Sequence, residues 1–343
     1  MHKHTLKRRA GFRFVLAFIL AVFGGLLSIA GCDNVALVQD DVAEADSFER
    51  MQLLTLQLNW RADAQHGGFY QAVVDGEYEA EGLDVKIVQG GPGSPVIPKL
   101  VMGRVDFAIA NADQILQVRE QEADIVGVMA PMQHSPRCIM VHQSTGITEF
   151  DQLRDMTLGM NEGRTFAIFL KSNLQLDGVR IVPYGGSVAK FLLDEKFAQQ
   201  GYVFSEPLVA KEQGGDPHSL MVSDLGFDPY SSCVAVQSKR IQDDPDLVKK
   251  FVAASRRGWM SYLQSPERAN QEINRVNPDM DIGSLNNAAA ILKELCLPDG
   301  LTQESFGWMT QERWLELAKA MHDIKAIKLD PQPASAAAWV DLR

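Results

Sequence analysis

Cysteine is scarce in this chain, four in 343 residues, and no two stand at the spacing of a metal site. His134 and His142 have no Cys or carboxylate cluster beside them, so no metal and no cofactor is expected. There is no G-x-S-x-G elbow, no H-E-x-x-H helix and no G-x-G-x-x-G fingerprint, which removes common signatures of hydrolases, zinc proteases and dinucleotide enzymes. Basic residues are in deficit, 33 Lys and Arg against 44 Asp and Glu, a net charge of −11. Such a surface is a poor partner for phosphate backbones, whose neutralisation needs clustered Lys and Arg, so nucleic acid is not an expected partner.

What the N-terminal end does carry is an export pattern. Lys3, Lys7, Arg8, Arg9 and Arg13 surround the start of an apolar run from Phe14 to Ala30, and Ala30-Gly31 stand just before Cys32. A charged n-region, a short apolar h-region and small residues ahead of a cleavage point mark a signal peptide. Cys32 after Ala-Gly resembles a bacterial lipobox, in which that Cys becomes the lipidated N-terminus. Residues 1–31 are therefore expected to be a lipoprotein signal, with the mature protein held to a membrane through Cys32. Asp33 resembles the signal that retains some lipoproteins at the inner membrane. An uncleaved anchor is the alternative, but the run contains Gly24, Gly25 and Ser28 and is short against the ~20 apolar residues of a span. Arg8-Arg9 fits a twin-arginine signal poorly. Removing residues 1–31 takes five of the 33 basic and none of the 44 acidic residues, leaving a net charge of −16.

About 310 residues then remain, a length suited to two lobes rather than one small core. Residues 32–50, rich in Asp and Glu, read as a solvated tether. From Leu53 strand and helix patterns alternate: Leu54, Leu56 and Leu58 alternate as a strand, residues 67–79 as a helix and 83–88 as a strand. Helices at 94–102 and 112–122 and strands at 105–109 and 124–128 follow. The middle region predicts strands at 139–142, 157–159, 179–182 and 202–204, with helices over 164–175 and 187–199. From Asp246 the pattern is helical, over 246–263, 266–275, 285–297 and 311–323. This alternation implies mainly parallel, doubly wound sheets. Cys138 and Cys233 both begin strand-like runs, so a bridge forms only if those strands are neighbours; buried free thiols are the blander expectation.

One segment is more specific. Leu58-Asn59-Trp60-Arg61-Ala62-Asp63-Ala64-Gln65-His66-Gly67-Gly68-Phe69-Tyr70 continues with Gly76-Glu77-Tyr78, Glu81-Gly82-Leu83-Asp84-Val85, Gly90-Gly91-Pro92 and Gly103-Arg104-Val105-Asp106-Phe107. With Tyr202-Val203-Phe204-Ser205-Glu206-Pro207 and the helix opener Asp244-Pro245-Asp246, it resembles the SsuA/THI5-like (NMT1/THI5) family of solute-binding proteins, over roughly residues 52–270. The resemblance implies an α/β fold of the type II periplasmic binding protein: two doubly wound lobes, a two-strand hinge and a ligand cleft between. Lobe 1 would comprise residues 51–134 and 239–343, lobe 2 residues 135–238, with crossings near Pro131 to Cys138 and Cys233 to Ser238. It also implies a monomeric, periplasmic receptor that captures a small molecule and delivers it to ABC permease subunits. Ligands in this family are thiamine-precursor pyrimidines, riboflavin and alkanesulfonates; a pyrimidine is expected first.

Placed on that fold, several residues become ligand candidates, each with a plainer alternative. Trp60 ends the first strand and can stack on a flat ring, or serve the core. His66 stands at a helix start, as ligand contact or buried cap, and matches the active-site His of related pyrimidine synthases. Tyr70 lies one turn beyond it on the same face. Gly90 and Gly91 join a strand to a helix and can form an anion-accepting nest, or only a tight turn. Asn111 and Gln114 open the next helix. Glu206, ahead of Pro207, can accept two hydrogen bonds from an aminopyrimidine edge, or be a helix N-terminal acid. Tyr184, Gln133 and Tyr230 are second-lobe candidates, and Arg61, Arg137 and Arg164 keep a sulfonate open. No Cys-rich cluster like that of the synthases is present, so a binder without chemistry is expected.

Overall fold

The structure, a computed structural model, describes residues 51–343; the expected signal, Cys32 and the acidic tether lie outside the described residues. The first stretch runs β1 (Gln52–Gln57), α1 (Gly67–Val74), β2 (Leu83–Val88), α2 (Val96–Val101), β3 (Phe107–Ala110), α3 (Ala112–Glu120) and β4 (Ile125–Met129). The middle stretch runs β5 (Arg137–His142), β6 (Thr157–Gly159), α4 (Thr165–Asn173), β7 (Arg180–Val182), α5 (Ala189–Leu193), β8 (Phe197–Tyr202), α6 (Glu206–Glu212) and β9 (Pro217–Met221). The chain then returns through β10 (Cys233–Gln237) to α7 (Ser238–Asp243), α8 (Pro245–Tyr262), α9 (Glu267–Val276), α10 (Ile282–Cys296), α11 (Gln311–Asp323) and α12 (Pro331–Ala337).

Two five-stranded sheets result, ordered β2-β1-β3-β10-β4 and β7-β6-β8-β5-β9. In each, four strands run one way and one runs against them: β10 in the first, β5 in the second. The reversal has a simple cause. The chain leaves each sheet at the carboxyl end of a strand and enters the other from that same side, so the entering strand must point the opposite way. The return crossing lies upstream of the expected Cys233–Ser238, because Cys233–Gln237 is itself a strand of the first sheet, paired with β3 and β4. The middle lobe therefore ends before residue 233. Cys138 lies in β5 and Cys233 starts β10, in different sheets, and both are buried free thiols, as is Cys296.

The crossing segments touch. Ser231 N–H donates to Met132 O at 3.1 Å, and Arg313 of α11 donates to Gln133 O, Asp228 O and Asp228 Oδ2 at 2.5, 3.1 and 3.2 Å. Its guanidinium lies 4.0 Å from the Tyr230 ring centre.

The middle lobe holds the largest departure from the pattern. The helix expected over 187–199 stops at Leu193, and Phe197–Tyr202 is the buried central strand β8. Ala198, Gln199 and Gln200 favour helix locally, but the slot between β6 and β5 overrides that preference. Edge strand β9 begins on Pro217, where a missing N–H costs no ladder bond.

The first lobe is tightened where α1 crosses α8. A Cβ on Gly258 would lie 2.5 Å from Gly68 O and from Ala72 Cβ, and one on Gly68 would lie 2.0 Å from the Trp259 ring. Neither helix can accept a methyl there without moving. Gly258→Ala is expected to destabilise the protein by about 1–3 kcal/mol through overpacking; urea unfolding that leaves the midpoint unchanged would contradict this packing.

Candidate functional site

The carboxyl ends of β1, β2 and β3 carry Asn59-Trp60, Gly90 and Asn111, and those of β7 and β8 lead into Tyr184 and Tyr202. In doubly wound sheets ligands bind at these strand ends. The two sets meet directly: Asn111 Nδ2 donates to Tyr202 Oη at 3.1 Å. Phe204 follows Tyr202 and is buried in the first-lobe core, with Tyr202, Val203 and Leu208 packed against that core. Farther along the seam, Ser284 of α10 donates to the Glu212 carboxylate of α6, whose oxygens stand 2.7 and 2.8 Å away. The lobes are thus in contact along a continuous seam.

Asn111 sits at the junction of three parts. Its side-chain oxygen accepts from Ser232 N in the return crossing at 3.1 Å, and its amide donates to the second lobe. Gln114 accepts from Asn111 N at 3.0 Å, closing a capping box at the start of α3. Of the expected ligand residues, Asn111 is the one the structure puts directly across the seam.

Several others are committed elsewhere. Glu206 is satisfied within its own lobe: Oε1 accepts from Tyr184 Oη at 2.5 Å and Oε2 from Tyr202 N at 2.7 Å. Both oxygens expected for an aminopyrimidine are occupied, and burial followed by the Glu206 charge pushes the Tyr184 hydroxyl well above its usual range. His66 has no exposed surface; Nε2 lies 2.8 Å from Asn59 Oδ1 and Nδ1 lies 3.2 Å from Asp63 Oδ1, the buried cap of its plainer alternative. Gly90 N–H donates to Trp60 O at 2.8 Å, and a Cβ there would lie 2.5 Å from Leu58 O. The glycine permits close loop contact, and its N–H is not free for an anion. Trp60 itself is exposed.

Tyr70 points away from the seam, into a groove of about 430 Å³ along β2 that Glu272 and Arg275 also line. Gln133 and Tyr230 belong to the crossings. Gln133 Nε2 donates to Ala130 O and Trp308 O at 2.9 and 3.2 Å, and the buried Tyr230 accepts from Thr310 N at 3.1 Å. Arg61 pairs with Asp279 at the surface, and Arg164 is exposed.

The sequence reading passed over Asp113 as part of a helix start. Its Oδ1 is sealed from solvent, and the Thr165 hydroxyl at the start of α4, also sealed, faces the carboxyl from the second lobe. Thr165 is 1% exposed. Buried polar atoms normally find partners, and here two of them meet across the seam, one from each lobe. Arg137 of β5 is half-buried, 4.2 Å from the Tyr202 ring centre and 4.7 Å from that of Phe166. Among the described residues no three His, Cys, Asp or Glu side chains converge on a metal position.

A family model described as NMT1/THI5 like matches residues 63–269. The chain belongs to the NMT1/THI5-like family. It is 25% identical over 254 residues to the riboflavin-binding protein RibY of Chloroflexus aurantiacus, covering 71% of this chain and 72% of that one. It is 20% identical over 322 residues to the formylaminopyrimidine-binding protein of Halalkalibacterium halodurans, covering 87% and 94%. A 4-amino-5-hydroxymethyl-2-methylpyrimidine phosphate synthase of Candida albicans is 24% identical over 246 residues, covering 66% and 72%. Among solved structures, the alkanesulfonate-binding protein SsuA of Xanthomonas axonopodis pv. citri aligns with a TM-score of 0.63 at 12% identity, over 84% of this chain and 98% of that one. That likeness establishes the two-lobed fold.

In this NMT1/THI5-like chain, burial raises the Asp113 carboxyl above the ordinary carboxylate range, with the Thr165 hydroxyl, then Arg137, the Gln114 backbone N–H and Arg164, opposing more weakly. The folded state then holds a proton that the unfolded state releases. Its stability contribution is full below the ordinary carboxylate value and is lost as pH rises through the raised one. Melting of wild type and Asp113→Asn across pH 4 to 8 is expected to diverge, the wild type losing more stability toward neutral pH; parallel curves would contradict the burial.

Proposed function

We propose that this protein is the extracytoplasmic substrate-binding component of an ABC importer, closing its lobes on a small heteroaromatic nutrient and delivering it to the permease. The observation that carries the proposal is the seam at the strand ends, where the Asn111–Tyr202 hydrogen bond spans the lobes. A hinge-closing receptor needs such a place, where polar side chains of both lobes meet at the carboxyl ends of the strands. A thiamine-precursor pyrimidine is the leading ligand, supported by likeness over most of the chain to the formylaminopyrimidine-binding protein. Riboflavin is the second reading, favoured by the likeness to RibY. An alkanesulfonate rests on fold alone. Against a synthase stands His66, which would supply the active-site imidazole but has no exposed surface. The proposed setting is the periplasm, as a monomer lipid-anchored at Cys32, at the inner membrane by virtue of Asp33.

Isothermal titration of the full chain with formylaminopyrimidine, hydroxymethylpyrimidine, thiamine, riboflavin and taurine tests this. One heteroaromatic is expected to bind saturably, and Asn111→Ala to weaken it by about tenfold, the equivalent of 1.4 kcal/mol. A folded protein that binds none of the heteroaromatics would overturn the ligand class.

A further inference from the structure

Beyond the Asn111–Tyr202 bond at the strand ends, a second polar contact joins the lobes. Ser284 of α10, in the first lobe, donates to the Glu212 carboxylate of α6, in the second, whose oxygens lie 2.7 and 2.8 Å away. No residue expected to meet a ligand takes part in it. Each helix leads there from a different part of the receptor. Glu206, the first residue of α6, accepts from Tyr184 Oη and Tyr202 N near the strand ends, and Glu212 is the last. At the far end of α10, Leu295 O accepts from Gln133 N and His134 N of the outgoing crossing at 2.8 and 3.2 Å. Cleft and hinge therefore meet again at Ser284.

The contact is short of hydrogen. Ser284 Oγ also bonds to Asp281 Oδ2, so carboxylates of both lobes converge on one hydroxyl. A hydroxyl gives one hydrogen and an ionised carboxylate gives none. Asp281 caps α10, accepting from Ser284 N at 2.9 Å. The Ser284 hydroxyl, then that N–H, hold its carboxyl below the usual range, so it stays charged where Glu212 arrives. Among the described residues neither carboxylate has a salt bridge to offset the other. The positive end of α10 draws Glu212 in, and the like charge of Asp281 pushes it back.

We infer that the Glu212–Ser284 contact is a closure latch, held by one hydroxyl hydrogen and weakened by Asp281, that sets how often the lobes close without ligand. The balance has a use. Lobes that shut firmly on nothing would bar the ligand, whereas a rare closed state lowers apparent affinity by the fraction populated. A latch with its own opposing charge holds the receptor between those limits and leaves the ligand to complete closure. The inference rests on the receptor reading above and names how that same site is regulated.

Two variants at this contact are expected to act in opposite directions, although neither residue is a ligand candidate. Ser284→Ala removes the shared hydrogen and keeps the N–H that Asp281 accepts. Glu212→Gln removes the like charge, and its amide can donate to Asp281 while its oxygen accepts from Ser284. Small-angle scattering of the unliganded full chain is expected to give a larger radius of gyration for Ser284→Ala and a smaller one for Glu212→Gln. Titration with riboflavin and formylaminopyrimidine is expected to show heteroaromatic binding weakened about threefold to tenfold by Ser284→Ala. Glu212→Gln is expected to tighten it about threefold, a gain that shrinks as added salt screens the charge. Unchanged scattering in both variants would overturn the latch and leave the receptor standing. Loosening by both would also overturn it, since Asp281 would then oppose nothing. A wild type that binds neither compound would sink the heteroaromatic reading, while the scattering arm still decides the latch.

Discussion

Two chain crossings lying side by side leave carbonyls with no sheet to receive them, and Arg313 supplies the missing donors. Its guanidinium serves Gln133 O in the outgoing segment and Asp228 O and Oδ2 in the returning one, with the Tyr230 ring against its face. A planar fork with fixed donor directions suits this task better than a flexible ammonium, because one group must hold two strands at set angles. The Arg comes from α11, so the C-terminal helices of the first lobe fix the pivot about which the second lobe turns. Asn111 extends that control to the cleft: it is bonded to the return crossing at Ser232 and to the second lobe at Tyr202. Hinge and seam are therefore linked through neighbouring residues.

The polar side chains expected to meet a ligand divide by where their partners come from. Glu206, His66, Gln114 and Gln133 each have partners within one lobe or its crossings, and their chemistry is spent on holding local structure in place. Asn111 and Asp113 instead face groups of the other lobe, Tyr202 and Thr165. Polarity and location pointed equally to both sets; only the partner of each atom separates them.

That distinction also marks the boundary of what the chain's residue order conveys. The Leu54–Leu56–Leu58 alternation, the βα rhythm of the first lobe and the helical C-terminal part are local patterns, and they appear as β1, the units through β4 and α8 to α11. β8 was hidden because Ala198, Gln199 and Gln200 read as helix until neighbouring strands claim them. Gln133 and Tyr230 were correctly near the crossings but wrongly aimed, since nothing local says that an Arg some 80 or more residues away will take them. Asp113 looked like an ordinary helix-opening acid, favoured by the helix dipole. Its buried setting depends on Thr165 and Arg137, which arrive from the other lobe.

The fold's likeness to an alkanesulfonate-binding protein at 12% identity shows how little the frame itself says about ligand. Sheets and reversed strands follow from topology, and many sequences satisfy them. Ligand choice falls to the few side chains that reach the seam, among them Asn111, Asp113 and Arg137. The overall charge adds a long-range term: with 44 acidic against 33 basic residues, the field of the whole chain does not favour an anion approaching the cleft.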